Sequence, residues 1–217
     1  MFKDYYAVLS QKELTFIKKL NTPEKVQKYI DNEIEYDPYR EDRSIREVLE
    51  DKKAECYNGA LLAAACLLYH GYKASIIELL AREDEEHILC VYKSGNKFGS
   101  IAQSKFLGLK ARNPMYMSVR DLVVTYMEFY FSFDGRYSLM SYTNLFPLGR
   151  YKFKWFTSGT LVAKMSEDLK NYKHYYLVNP DDPYYYVSKE RFWREVLKVP
   201  KEIVIPKEYL PRPNMFK

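Results

Sequence analysis

Cys56 and His87 are the residues of this 217-residue chain best suited to covalent chemistry by type and surroundings. Cys56 stands at the head of a stretch in which Ala60-Leu61-Leu62-Ala63-Ala64-Ala65-Cys66-Leu67-Leu68 is apolar on every face. A helix that begins here offers the thiol free N–H groups and a partial positive charge. Both favour the thiolate, which is the nucleophilic form. Lys52 and Lys53 add positive charge just upstream. The same N–H groups are placed to hold the oxyanion that forms when a thiolate attacks a carbonyl. His87 follows an acid-rich segment and opens the strand-like run His87–Lys93. A strand packed against the N-terminal end of the helix would bring its imidazole within hydrogen-bond reach of the sulfur, as a base for that nucleophile. The spacing therefore predicts a Cys56–His87 dyad.

The other thiols and imidazoles read as structural. Cys66 lies inside the apolar run and Cys90 inside a strand, so both belong to the core. His70 ends the helix, where a cation suits the dipole. His174 has no acid or thiol near it in sequence.

The elements that must position the dyad are marked by their caps. Ser10-Gln11-Lys12-Glu13 and Ser44-Ile45-Arg46-Glu47 are capping boxes, and Thr22-Pro23-Glu24 supplies a cap, a first-turn proline and an early acid. Ser118-Val119-Arg120-Asp121 is a similar start. These signals predict helices over 11–20, 23–34, 45–51 and 119–131, with a short one near 189–197 after Ser188. The all-apolar helix from Cys56 to His70 requires burial on every side, and Gly71 stops it. Lys73–Leu80, His87–Lys93 and Lys97–Ala102 read as consecutive strands, the last two joined at Ser94-Gly95-Asn96. Lys152–Phe156, Thr160–Lys164 and His174–Val178 read as further strands, Asn179–Pro183 as a turn and 207–217 as a surface tail. Helices followed by antiparallel strands make an α+β fold, with a buried central helix packed on an antiparallel sheet. Residues 1–136 form the core with its N-terminal helices, and 137–217 an extension packed on it.

Composition excludes several classes. Hydrophobic and charged fractions are those of a globular chain that buries a core without staples. The net charge of +5 is spread over 34 basic and 29 acidic residues without a like-charged block, so no nucleic-acid partner is expected. No apolar run approaches the about 20 residues of a membrane span, and the first residues lack a secretory pattern. Three Cys without a CxxC, with three His, form no zinc spacing; no metal or cofactor is expected, and the thiols read as reduced in a cytoplasmic protein. The 22 Tyr and 12 Phe either cover a core or line a ligand groove.

From about Thr22 to Phe131 the chain resembles the transglutaminase-like superfamily, whose fold is that of papain-like cysteine peptidases. The resemblance is carried by Ile34-Glu35-Tyr36-Asp37, Ser44–Leu49, Cys56 opening Ala60–Tyr69, Gly71-Tyr72-Lys73-Ala74, His87 heading its strand, and Phe98 on the return strand. Gly99–Lys110 with Arg112-Asn113-Pro114 is similar to a bacterial subgroup without an assigned substrate. The resemblance implies that Cys56 attacks a carboxamide or peptide carbonyl to form a thioester, with His87 as base and then acid. It also implies a peptide or protein substrate. The family's orienting Asp is replaced here by Ala102. A hairpin turn centred on Gly95 sets Gln103 opposite His87, and a slip of one sets Ala102 or Ser104 there, so Gln103 or Ser104 becomes the expected orienter. The missing acid leaves a second expectation open, an inactive domain of this type that binds a peptide or glycan in its groove.

Overall fold

Three capped helices begin the computed structural model, which describes residues 8–40, 42–82, 84–130, 137–179, 194–195, 198 and 200–203. α1 (Gln11–Lys19) and α3 (Ile45–Asp51) start with complete capping boxes at Ser10/Glu13 and Ser44/Glu47, and α2 (Pro23–Glu33) starts with the Thr22 hydroxyl accepting from the Lys25 N–H. Between them lies a short parallel pair, β1 (Glu35–Tyr36) and β2 (Lys53–Ala54). The boxes satisfy backbone donors that a helix start otherwise leaves open.

Next comes α4 (Cys56–Tyr69), in which every residue from Tyr57 to Tyr69 is buried. Leu61, Leu62 and Leu67 have no exposed surface, and each such burial contributes about 2 kcal/mol. The helix is covered by α1, α2 and α3 on one side and by the sheet on the other.

The sheet is antiparallel throughout, in the order β6-β5-β4-β3-β7-β8, with β3 (Lys73–Ala81), β4 (His87–Ser94), β5 (Lys97–Ile101), β6 (Arg112–Tyr116), β7 (Leu139–Thr143) and β8 (His174–Tyr176). Strand side chains alternate between its faces. Ile76, Ile88, Cys90, Tyr92 and Ile101 join the α4 core. Ile77, Leu79, Leu89, Val91 and Ala102 form a second core with Leu122 and Val123 of α5 (Val119–Val124) and with Tyr126 and Tyr130. Both faces are thus covered. The α+β class and the buried helix on an antiparallel sheet are as expected from the sequence.

Differences lie in the last third. Thr160–Lys164 is not a strand but part of α6 (Gly159–Lys170), capped by the Ser158 hydroxyl. Its buried residues Val162, Met165 and Leu169 recur at helical spacing. Lys152–Phe156 is not a strand either; it follows the 3₁₀ turn Leu148–Tyr151 and contains a second one, Lys154–Phe156. The helix expected over 119–131 ends at Val124, where the Thr125 hydroxyl donates to the Leu122 carbonyl and competes with continuation. β6 carries Pro114 and β7 was not marked in the sequence; a proline is tolerated in β6 because that strand is an edge. β7 pairs with β3 in the sheet interior, and Trp155, Phe156, Val162, Met165 and Leu169 share the α4 core. Most of the helix expected near 189–197, most of the 179–183 turn and the 207–217 tail fall outside the described residues. Among the described residues no helix is long and apolar enough to cross a membrane.

Candidate functional site

Glu55, not Cys56, is the capping residue of α4. Its two carboxylate oxygens accept from the Tyr57 N–H at 2.7 Å and the Asn58 N–H at 2.8 Å. A carboxylate on a helix N-terminus is favourable for the helix, but it also answers the positive end that would have favoured a thiolate. The Cys56 thiol is consequently pushed well above its ordinary range, first by burial and then by the Glu55 charge; the backbone N–H groups of Ile88 and Tyr57, which face the sulfur, only partly oppose this. Cys56 is therefore a neutral thiol at neutral pH.

The hydrogen bond of the His87 ring goes to the Leu109 carbonyl and not to the Cys56 sulfur. His87 opens β4 as expected, but its side chain shares the strand parity of Leu89 and Val91, on the sheet face away from α4. Its Nε2 bonds to the Leu109 carbonyl at 2.8 Å, and since a carbonyl only accepts, that nitrogen carries the proton. The ring is 4% exposed. Burial pulls it down to about 4, with the Leu109 carbonyl opposing and Arg112 assisting, so it is neutral at pH 7. The residue of β4 that packs in the core with α4 is Ile88.

The expected orienters are occupied elsewhere. β4 and β5 turn at Gly95-Asn96, with Gly95 at φ +57, a conformation that suits glycine. Pairing then runs from Ser94–Lys97 to Cys90–Ile101 and stops. It stops because the Gln27 side chain takes both backbone groups of Ala102, each at 3.0 Å, and draws the chain toward α2. Gln103 donates from Nε2 to the Ile34 carbonyl at 2.9 Å and accepts from the Ser104 N–H at 3.0 Å. The Ser104 hydroxyl accepts from the Phe106 N–H at 3.0 Å. Neither side chain bonds to His87. Gln103 and Ser104 hold a loop rather than an imidazole.

Around Cys56 there is nonetheless a cleft of about 260 Å³. Its charged lining is Glu55, Glu78, Glu85 and Glu86, with Lys170 of α6 as the counter-charge. Glu78 was not anticipated. It lies on β3 directly opposite Ile88 and so on the α4 face of the sheet. It is 1% exposed, and its Oε2 has no hydrogen-bond partner among the described residues. Burial first, and Glu86 second, push its carboxyl up to about 7 against the pull of Lys170. The sequence signal was a single acid inside the apolar strand Ile76-Ile77-Glu78-Leu79-Leu80, a place where a carboxylate is expensive.

Cys66, Cys90 and His70 are structural. Cys66 and Cys90 are buried and unpaired, and burial pushes Cys66 up to about 12. His70 Nε2 bonds to the Ile17 carbonyl at 2.9 Å, closing the last turn of α1. Among the described residues no group of three or more His, Cys, Asp or Glu is arranged to hold a metal ion. In comparisons with known proteins, no family model and no curated sequence matches the chain.

Proposed function

We propose that the chain is a catalytically inactive domain of the transglutaminase-like, papain-like type, which holds a peptide in the cleft beside Cys56. One observation carries this reading: the backbone N–H of Ile88 faces the Cys56 sulfur, while the His87 imidazole is hydrogen-bonded to the Leu109 carbonyl. Thiol catalysis needs a thiolate and a base within reach, whereas this thiol is held protonated by burial and by Glu55. Glu78, which lines the same cleft, is too weak a base to take a proton from a thiol raised above its usual range. The cleft itself persists, and its acidic lining favours a peptide over a neutral glycan.

The test is incubation with glutaminyl peptides and activated peptide esters, followed by mass measurement of the intact protein and of the peptides. The expected result is no acyl adduct on Cys56, no turnover, and peptide binding that survives Cys56→Ala. An adduct on Cys56 with turnover abolished by Cys56→Ala would overturn the proposal and restore the acyl-transfer reading.

A further inference from the structure

A carboxylate oxygen in an apolar strand, buried and without a partner, is an arrangement that folding alone disfavours. Glu78 is in that state: its Oε2 is unpaired among the described residues, and the side chain lines the cleft at Cys56. Among the described residues the opposite charge that acts on Glu78 is that of Lys170, which is exposed on α6 and forms no salt bridge with it. From the segment before β4, Glu85 and Glu86 face the same space; from the start of α4, Glu55 and the neutral Cys56 do so. Glu55 is engaged by backbone N–H groups and Glu85 pairs with Lys105 at 3.2 Å, so the buried carboxylate with an unpartnered oxygen at the cleft is that of Glu78. A buried carboxylate is stabilised by a cation that brings its own hydrogen-bond donors.

We propose, resting on the reading of this cleft as a peptide-binding site, that it accepts the guanidinium of an arginine side chain, with the Glu78 carboxylate as the direct partner. A guanidinium is preferred over an ammonium on physical grounds. It is planar, weakly hydrated and able to use two donors on one carboxylate, so it loses less on entering a mostly buried site. Its stem and faces also suit the walls formed by Tyr36, Pro38, Tyr57 and Ile88, beside Ser166. Glu85 and Glu86 at the cleft supply attraction for the approaching cation. Lys170 competes with it.

The experiment is calorimetric titration of the full chain with acetyl-Gly-Arg-Gly-amide, its lysine and citrulline counterparts, and free agmatine. Titrations at about pH 8 and about pH 5.5 bracket the Glu78 transition. The arginine peptide is expected to bind at the higher pH at least about tenfold more tightly than the citrulline peptide, and more tightly than the lysine peptide. Glu78→Gln is expected to remove that advantage, acidification to weaken it, and Lys170→Met to strengthen it severalfold; the last variant changes an exposed residue and keeps the test open if Glu78→Gln misfolds. Equal binding of all three peptides, or an arginine preference untouched by Glu78→Gln and by Lys170→Met, would refute the guanidinium site while leaving a peptide cleft standing. Binding of agmatine without any peptide would keep the guanidinium site and refute the peptide reading. No binding by any of the four would refute both.

Discussion

The backbone N–H of Ile88 faces the Cys56 sulfur, and the Ile88 side chain packs in the core that covers α4. Because a strand has a period of two, this placement sends His87, one residue earlier, to the other face. The thiol is left with two N–H donors and a hydrogen bond to the Glu55 carboxylate, which holds its proton in place. Cys56 is therefore expected to react with iodoacetamide at neutral pH no faster than an ordinary thiol, and to gain rate only in alkaline solution. Glu55→Gln should speed the reaction, since the Glu55 charge is the largest cause after burial of the raised thiol; it should also lower stability by about 1 kcal/mol through the weakened cap. Quantifying the labelled Cys56 peptide over a pH series checks both. Rapid labelling of the wild type at neutral pH would return Cys56 to the rank of nucleophile.

His87 gives the acid limb of stability a definite sign. Its native state titrates at about 4, against 6.5 for the free side chain. Between those values the unfolded chain binds the proton and the native chain does not, so stability falls as pH drops through that window. The full fall is roughly 3 kcal/mol. His87→Asn should cost about 1–3 kcal/mol at neutral pH, because the Leu109 carbonyl loses its partner, yet it should lack this limb. Urea unfolding of the two proteins should therefore converge toward pH 4. Parallel curves would mean that the imidazole is solvated in the native state.

The architecture around the site was legible in the sequence because its signals are local. Ser10, Thr22 and Ser44 announce their helices through side chains three residues apart, and the run Ala60–Leu68 has no polar face to expose, so its burial follows from composition. The site was less legible because its deciding contacts are distant. Which face His87 takes depends on the register of β4 against α4, which no local pattern encodes. The identity of the residue opposite His87 depended on Gln27, which terminates the β5 ladder by binding Ala102 from another helix. Thr160–Lys164 reads as a strand because Thr160-Leu161-Val162 has β-branched character, and the helical period appears only when Met165 and Leu169 are included. Glu78 was visible as an acid in an apolar strand, but only the fold shows that it opens onto the Cys56 cleft.

Glu78 acts on stability in the sense opposite to His87. Its native carboxyl titrates at about 7, against 4.5 for the free side chain. Between those values the native chain holds the proton and the unfolded chain has lost it, so stability decreases as pH rises through that interval and stays lower above it. Glu78→Gln should therefore stabilise the protein at about pH 8 by about 1–2 kcal/mol, less than the full displacement implies because Lys170 and water at the cleft mouth screen the charge. The gain should vanish below about pH 4.5. In the wild type the Glu78 and His87 slopes oppose each other and flatten the curve on the acid side of neutrality. In Glu78→Gln the His87 rise stands alone, and denaturant midpoints across pH reveal it. A variant that is less stable than the wild type at alkaline pH would show that the Glu78 charge is already paired.

Gln103 is assigned a packing role by its fit against the central helix, and this too is open to measurement. A Cβ placed on Gly59 would lie 2.5 Å from the Gln103 Cβ, closer than two carbons approach. The close approach seats the Ala102–Ser104 segment on α4, and Gln103 then reaches the Ile34 carbonyl. Gly59→Ala adds a better helix former, worth up to about 1 kcal/mol by propensity, yet the steric clash should prevail and destabilise the protein by about 1–3 kcal/mol. The cost should shrink when Gln103 is replaced by Gly, because the opposing Cβ is then gone. A double-mutant cycle on unfolding free energies isolates this coupling from the loss of the Ile34 bond, which Gln103→Gly incurs in either background. Additive effects of Gly59→Ala and Gln103→Gly would place the segment away from the helix and reopen Gln103 for a role at His87.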